Sequence, residues 1–250
     1  MKRFKPLLSF LALIVLWQAG VVLLKVPDFM FPRPYAVAQA LYEMLVDGQL
    51  YKNGVASLFR VTWGFYLALV TAVPLGLFLG RQRSMRDFLN PLIQFLRPIS
   101  PLAWIPVALM WFGIGDKPAI FLIFLSSFFP LVVFTTSSVL NIRSTYLRVA
   151  RNFGFEGKEL YLKVILPAVL PDIVTAIRIT LGTAWLVIVA AEMIAVKSGL
   201  GYLIIDARNS LRMDRVVAGM VAIGVIGLVL DYLVRFLERM PSVTWSRRRR

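Results

Sequence analysis

The segment Pro118–Leu140, PAIFLIFLSSFFPLVVFTTSSVL, contains no charged residue. A helix that crosses the hydrocarbon core of a bilayer needs about 20 mostly apolar residues. The same requirement is met by five further segments: Leu7 to Leu24, Val61 to Gly80, Phe88 to Phe112, Pro167 to Val196 and Val216 to Phe236. The sequence therefore predicts an all-α, polytopic membrane protein with six transmembrane helices in a single domain, residues 1–250.

The composition supports this fold class and excludes several kinds of function. Of the 250 residues, 59% are hydrophobic and 16% are charged, whereas about 25% of the residues of a soluble domain are charged. Histidine and cysteine are both absent, which excludes disulfides, thiolate and imidazole metal sites and a Ser-His-Asp triad. The only Gly-Lys pair is followed by Glu159, so the chain has no P-loop. We predict no catalytic residue, metal site or cofactor, and expect the energy for any work to come from a partner or a gradient.

The distribution of positive charge predicts the orientation in the membrane. Lys and Arg concentrate in cytoplasmic loops, and the two alternate sets of loops differ strongly here. One set, with both termini, has Lys2, Arg3, Lys5, Arg81, Arg83, Arg86, Arg143, Arg148, Arg151, Lys158, Lys163, Arg235, Arg239 and Arg247–Arg250. The other has only Lys25, Arg33, Lys52, Lys117, Lys197, Arg208, Arg212 and Arg215. Both termini are thus predicted to be cytoplasmic, and the net charge of +15 needs no nucleic acid to explain it. Two short segments on the other side, Pro34 to Val46 and Tyr202 to Leu211, suit helices at the periplasmic interface.

The segment Phe88 to Phe112 does not fit a regular lipid-facing helix, because three prolines, Pro98, Pro101 and Pro106, lie in its interior. Each one removes a helical hydrogen bond, and irregular backbone at membrane depth is tolerated only where protein covers it or water fills a cavity. An arginine at this depth also needs water or a partner. The segment is either a kinked packing helix or part of a transport pathway, and the second interpretation nominates Arg97, Ser100, Pro101 and Trp104.

Three other charges lie within or beside the apolar segments. Arg178 either faces the same pathway or forms an internal ion pair with Asp172 or Asp231. Arg60, at the edge of its segment, is expected to extend its guanidinium to the interface. Glu192 lacks a partner group for catalysis, and we expect it to form a cap or an ion pair near the outer interface.

The most specific signal is the cytoplasmic loop from residue 141 to residue 166. Ser144 can cap a short helix in which Leu147, Ala150 and Arg151 share one face, and Gly154 is placed to end that helix in a left-handed conformation. A second helix then runs toward Pro167. A helix–turn–helix that projects from the membrane with small and aromatic residues exposed suits the docking of a soluble partner. The candidate docking residues are Leu147, Ala150, Arg151, Phe153, Gly154, Leu166 and Pro167.

At this loop the sequence resembles the inner-membrane permeases of ATP-binding-cassette importers. Their cytoplasmic motif is E-A-A, three residues, Gly, nine residues, then I-x-L-P. Ala150, Gly154, Val164 and Leu166-Pro167 stand at this spacing, whereas Arg148 and Val149 replace the first two residues of the motif. The resemblance narrows to the nitrate, taurine and aliphatic-sulfonate branch through these fragments: Phe31–Pro34, Leu96–Pro98, Pro101–Ala103, Trp111–Gly115, Ala190–Glu192, Gly199–Leu203 and Asp206–Arg208.

The resemblance implies a type I importer fold, with residues 61–240 as the core of the domain and 141–166 as the loop that docks an ATPase. It implies two permease copies, most simply a homodimer, each bound to a cytoplasmic P-loop ATPase that holds ATP and Mg²⁺, and a periplasmic or lipid-anchored binding protein that delivers the solute. A bacterial inner-membrane location follows. The solute is expected to be a sulfonate, nitrate or bicarbonate, with a vitamin-precursor heterocycle as the alternative. A gradient-driven secondary transporter or channel is the alternative class; such proteins often show inverted repeats, which are not visible here.

Overall fold

The computed structural model describes residues 5–25, 27 and 30–238, and this part of the chain is helical throughout apart from short connections. The charged residues Lys2, Arg3, Arg239 and Arg247–Arg250, used above for the orientation, lie outside the described residues. In chain order the α-helices are α1 (Lys5–Leu23), α2 (Pro34–Val46), α3 (Gln49–Arg81), α4 (Arg83–Leu96), α5 (Ile105–Phe112), α6 (Asp116–Leu140), α7 (Ser144–Asn152), α8 (Gly157–Leu160), α9 (Leu166–Ala195), α10 (Leu200–Asn209) and α11 (Met213–Glu238).

Four helices of the described part are long and apolar enough to cross a membrane. They are α3, α6, the continuous helix Gly157–Ala195 that includes α8 and α9, and Met213–Phe236 within α11. The bent pair of α4 with the segment Pro101–Phe112 would provide a fifth span, and the apolar part of α1, Leu8–Leu23, is shorter. The predicted all-helical membrane fold is confirmed, and the count of six transmembrane helices stays a prediction.

Helix α3 is much longer than the predicted segment Val61 to Gly80. It begins at Gln49, directly after Gly48, whose φ of 70° ends the preceding helix. The prediction was wrong at this end because Arg60 interrupts the apolar run. Arg60 is in fact buried inside the bundle, so the helix continues through the charged position.

The proline-rich segment is broken, as its sequence predicts. Helix α4 ends at Leu96, a 3₁₀ turn covers Pro101–Trp104, and α5 begins at Ile105. The axes of the two parts meet at 84°. Pro98 and Pro101 lie in the connection, where their missing N–H groups cost no helical hydrogen bond. A single helix from Phe88 to Phe112 is therefore excluded.

The centre of the bundle is the α3–α6 pair, the most extensive helix contact in the described part. Small residues recur every fourth position along α3: Gly64, Ala68, Ala72, Gly76 and Gly80. A side chain at Gly64 or Gly76 would collide with α6, because an added Cβ would lie 2.7 Å from Ile123 Cβ or 2.6 Å from Thr135 Cβ, respectively. This small-xxx-small pattern lets the two backbones approach closely.

The bundle has two ends, which we name by the short helix each one carries. The α7 end has the start of α4, the end of α6, α7 and α8; the α10 end has the start of α6, the end of α9 and α10. Helix α2 lies at the α10 end, where Val37, Ala40 and Met44 are buried against α10 and α11. The two short helices predicted for one side of the membrane thus lie at the same end of the bundle.

Candidate functional site

The α7 end carries the predicted helix–turn–helix. Helix α7 ends in a Schellman motif, in which the N–H of Phe155 donates to the carbonyl of Ala150 (3.0 Å) and the N–H of Gly154 donates to that of Arg151 (2.9 Å). Gly154 has a φ of 80°, so the predicted left-handed turn is confirmed. Ser144 is the first residue of α7, and no side chain caps this helix, which corrects the expected capping role.

The predicted docking residues divide into two sets by where they point. Ala150 is only 6% exposed and packs on Leu160, Ile165 and Val169. Leu147 and Leu166 are half-buried against the same cluster. The expectation that small residues such as Ala150 are exposed was therefore wrong: the apolar face of α7 is used to hold the loop on the protein itself.

The outward surface of the loop is made by other residues. Phe153 is 77% exposed, and Tyr146 and Val149 are also exposed. Arg148 and Arg151 are exposed beside them. We name these five residues, Tyr146, Arg148, Val149, Arg151 and Phe153, the α7 outer face. It is apolar at its centre and basic at its edges, so it suits a partner with an apolar pocket and acidic rim.

The loop joins the membrane span through a π-helical turn, Tyr161–Ile165, between α8 and α9. The N–H of Leu166 bonds to the carbonyl of Tyr161, five residues back. Pro167 has no N–H with which to reach the carbonyl of Lys163, so the usual α-helical pattern is interrupted here. Helix α8, the π-helical turn and α9 nevertheless form one continuous helix from Gly157 to Ala195, so the second half of the loop is joined directly to the span.

The break between α4 and α5 borders a cavity of about 170 Å³. Arg97, Pro101 and Trp104 line it from the bent segment, Ser126 and Phe129 from α6, and Thr183 from α9. Arg97 is exposed on the surface of this single chain. Three of the four predicted pathway residues of the segment thus surround one space, whereas Ser100 is exposed and does not line it.

Arg178 lies apart from this cavity and forms the ion pair that was one of its two predicted alternatives. Its Nε is 2.7 Å from Oδ1 of Asp231 on α11, and Arg235 approaches the same carboxylate at 2.9 Å. The carboxylate is partly exposed. A role for Arg178 in the pathway stays a prediction, and Asp231 rather than Asp172 is its partner.

A buried network at the α10 end was not expected from the sequence. Arg60, only 2% exposed, donates from Nη1 to Oε1 of the fully buried Glu192 (2.6 Å) and from Nε to Oδ1 of Asp116 (2.7 Å). The expectation that Arg60 extends to the interface was wrong, because these two carboxylates compensate its charge inside the bundle. The expectation for Glu192 is confirmed in kind: it forms an ion pair and accepts the N–H of Gly201 in α10 (3.0 Å).

One signal in the sequence could have found this pair. Arg60 and Glu192 are charged residues within or beside two different apolar segments, and each charge is costly at this depth unless an opposite charge compensates it. What the sequence cannot supply is the distance between α3 and α9, which depends on the tertiary packing.

The sequence matches the family described as "Binding-protein-dependent transport system inner membrane component" over residues 72–242. Among similar proteins, the nitrate import permease protein NrtB of Synechocystis is 33% identical (96% of this chain, 89% of that protein), and the bicarbonate transport system permease protein CmpB of Synechococcus elongatus is 35% identical (94% and 87%). The taurine transport system permease protein TauC of Escherichia coli is 33% identical (91% and 84%). In fold the chain is similar to a solved inward-facing structure of the MetNI methionine ABC transporter, with a TM-score of 0.57 and 19% identity over 84% of this chain and 99% of that chain.

Proposed function

The chain belongs to the family of binding-protein-dependent transport system inner membrane components, and we propose that the solute it carries is a small oxyanion. As a member of this family it is a permease subunit of an ABC importer. This membership decides between the two classes that the sequence left open, a permease and a gradient-driven carrier or channel. The family is a transport component rather than a group of enzymes.

We propose the following orientation and assembly. The α7 end faces the cytoplasm together with both termini, and the α10 end faces the periplasm. Two permease copies, most simply identical, enclose the pathway between them. A P-loop ATPase, which binds ATP and Mg²⁺, docks on each loop 141–166, and a binding protein delivers the solute to the α10 end. The basic residues of the α7 outer face support this arrangement, since Lys and Arg favour the cytoplasmic side.

In the proposed mechanism, the docking loop converts closure of the ATPases into movement of the spans. Helix α7 is held on its own chain by Ala150 and Leu147, so force on the α7 outer face is transmitted to the cluster that includes Val169 at the start of α9. The continuous helix Gly157–Ala195 carries that movement along the membrane. ATP binding then turns the pathway outward to accept the solute, and hydrolysis returns it.

The observation that supports an anionic solute is the position of Arg97 beside the cavity at the bent segment. A guanidinium offers several N–H donors in a planar array that matches the oxygens of nitrate, bicarbonate or a sulfonate. The hydroxyl-bearing residues Ser126 and Thr183 line the same cavity. The names of the relatives agree with this chemistry, since they refer to nitrate, bicarbonate and taurine transport. A vitamin-precursor heterocycle is the second candidate, and the test below distinguishes it.

The test is ATP-driven uptake by the complex purified with its own ATPase and binding protein. The binding protein is first screened by thermal shift against nitrate, bicarbonate, taurine and a pyrimidine heterocycle. Proteoliposomes are then given the radiolabelled compound that stabilises it. ATP-dependent accumulation of an oxyanion, with loss of uptake when the ATPase is omitted, is the expected result. Accumulation of the heterocycle with no competition from any of the oxyanions would overturn the proposal.

A further inference from the structure

A buried cluster at the α10 end joins three helices. Its members are Asn53, Ser57 and Arg60 on α3, Glu192 on α9, and Ser198 in the connection from α9 to α10. We name these five residues the α10 anchor. Ser57 and Arg60 are at most 2% exposed and Glu192 is fully buried. None of the three lines the cavity at the bent segment.

The anchor binds three of the N–H groups at the beginning of α10. The first backbone N–H groups of a helix have no partner within the helix itself. Here three successive ones are bound by side chains of the two neighbouring spans: Gly199 donates to Asn53 Oδ1 (2.8 Å), Leu200 to Ser57 Oγ (2.9 Å) and Gly201 to Glu192 Oε2 (3.0 Å). The hydroxyl of Ser57 also donates to Glu192 Oε2 (2.8 Å).

The charged part of the anchor ties the same helices together from a second side. Arg60 Nη1 contacts both Glu192 Oε1 (2.6 Å) and the carbonyl oxygen of Ser198 (2.8 Å). Its Nε contacts Asp116 Oδ1 (2.7 Å) at the start of α6. Separation of α3 from α9 would therefore leave the fully buried Glu192 carboxylate without its charge partner, which is strongly unfavourable, while Arg60 would keep only Asp116.

The backbone at this joint requires glycine at two positions. Gly199 has a φ of 105°, which residues other than glycine rarely adopt. An added Cβ at Gly201 would lie 2.8 Å from Glu192 Cβ. The two glycines therefore let the start of α10 lie directly against α9.

From these contacts we infer that α10 and the adjacent ends of α3 and α9 form a single rigid body that does not open during the transport cycle, and that Glu192 and Arg60 are its positioning residues. Movement of α9 then carries α10 with it. Under the proposed function, which this step requires, that movement reaches the end of the bundle where the binding protein docks.

The rigidity is tested by spin-label distances within one chain. The chain has no cysteine, so labels attach only at introduced sites, and Tyr51 of α3 and Arg208 of α10 are both exposed. The labelled chain is diluted with an excess of cysteine-free chain so that distances between the two proposed copies contribute little. We then expect one narrow distance distribution, unchanged between the nucleotide-free complex with its ATPase and the ATP–vanadate-trapped complex. A second distance population in the trapped state would overturn the inference, because the joint would then be a gate.

The role of the anchor is tested in the same labelled chain alone in nanodiscs. Glu192→Gln removes the negative charge that ties Arg60 to α9 and leaves Asp116 as its remaining ion-pair partner, and we expect a broadened distribution. Ser57→Ala keeps the ion pair but removes one acceptor of α10, and provides the test if the first variant does not fold. The matched control is Asp231→Asn, which breaks the more exposed Arg178 pair and should leave the α10 distance unchanged. An unchanged distribution in both anchor variants would overturn the role assigned to these residues.

A further measurement, the stimulation of ATP hydrolysis by the solute-loaded binding protein, depends on the proposed function. In the full complex, Ser57→Ala should reduce the stimulation of ATP hydrolysis by the solute-loaded binding protein, while the basal rate is retained. If the unmodified complex shows no stimulation at all, the proposed function fails, whereas the distances in nanodiscs still decide whether the anchor exists. If a variant with a broadened distance distribution keeps full stimulation of ATP hydrolysis, the anchor is not needed for the binding protein to act on the permease.

Discussion

Gly154 is the residue on which the geometry of the docking loop depends most directly. Its φ of 80° closes the Schellman motif, and an added Cβ would meet no neighbouring atom. The cost of Gly154→Val is therefore conformational, about 1–2 kcal/mol, without a steric clash. We expect this variant to insert normally but to couple ATP hydrolysis poorly to uptake. Gly154→Asn is the matched control, since asparagine tolerates this conformation and should restore coupling. Normal coupled uptake by the valine variant would refute the role of the turn.

Arg97 is the residue on which the anion proposal depends. Arg97→Ala removes a charge-assisted hydrogen bond, which contributes about 1.5–3 kcal/mol, so we expect uptake to fall roughly 10- to 100-fold at limiting solute concentration. Association with the ATPase should be unaffected, because Arg97 is not part of the loop 141–166 on which the ATPase is proposed to dock. Arg97→Lys keeps the charge but loses the planar donor array, and should give an intermediate rate. Unchanged uptake by the alanine variant would assign Arg97 a structural role.

Among the described helix pairs, α3 and α6 have the most extensive contact, and we expect their close packing to contribute to stability. Gly76→Val introduces atoms where Thr135 already lies, and overpacking of this kind costs about 1–3 kcal/mol. We expect a clear fall in the temperature of thermal unfolding in detergent. The control is Gly182→Ala, because Gly182 of α9 has no atom within 4 Å of an added Cβ. Equal stability of the two variants would mean that the close packing of α3 on α6 is not needed.

Substitution by aspartate should have different effects on the two faces of α7. Phe153→Asp changes the α7 outer face, and we expect weaker ATPase binding with unchanged thermal stability. Leu147→Asp places a charge against the cluster of Ala150, Leu160 and Ile165, and we expect loss of stability as well as of binding. Pull-down of the ATPase and thermal unfolding, measured on both variants, check this. If Phe153→Asp retains full binding, the docking surface lies elsewhere.

The same elements show how far the sequence alone could go. Long, mostly apolar runs predicted the spans, and the prolines around Arg97 predicted the break, because both are local properties of the chain. The start of α3 was missed for a non-local reason. From the sequence alone, Arg60 is expected to lie at the membrane interface, and only the tertiary fold brings Glu192 of a distant segment beside it. The outward face of α7 was also misjudged, because its apolar side had to be assigned to the protein's own core rather than to a partner.

Under the proposed function, one end of the whole molecule receives force from the ATPase and the other end receives the solute. The α7 outer face is apolar and basic, and the continuous helix Gly157–Ala195 joins it to the α10 anchor. Between them lies the bent segment with Arg97. The chain itself has no P-loop, so in this account the energy comes from a separate ATPase.

Native mass spectrometry of the complex, extracted gently from its own membrane through a tag on the chain, tests the proposed assembly. We expect two permease copies with two P-loop ATPase subunits in a fixed stoichiometry, and loss of the ATPases from the Phe153→Asp variant. Recovery of the chain without any ATPase, under conditions in which other membrane complexes of the same cells stay intact, would show that it is not the permease of an ATP-driven importer.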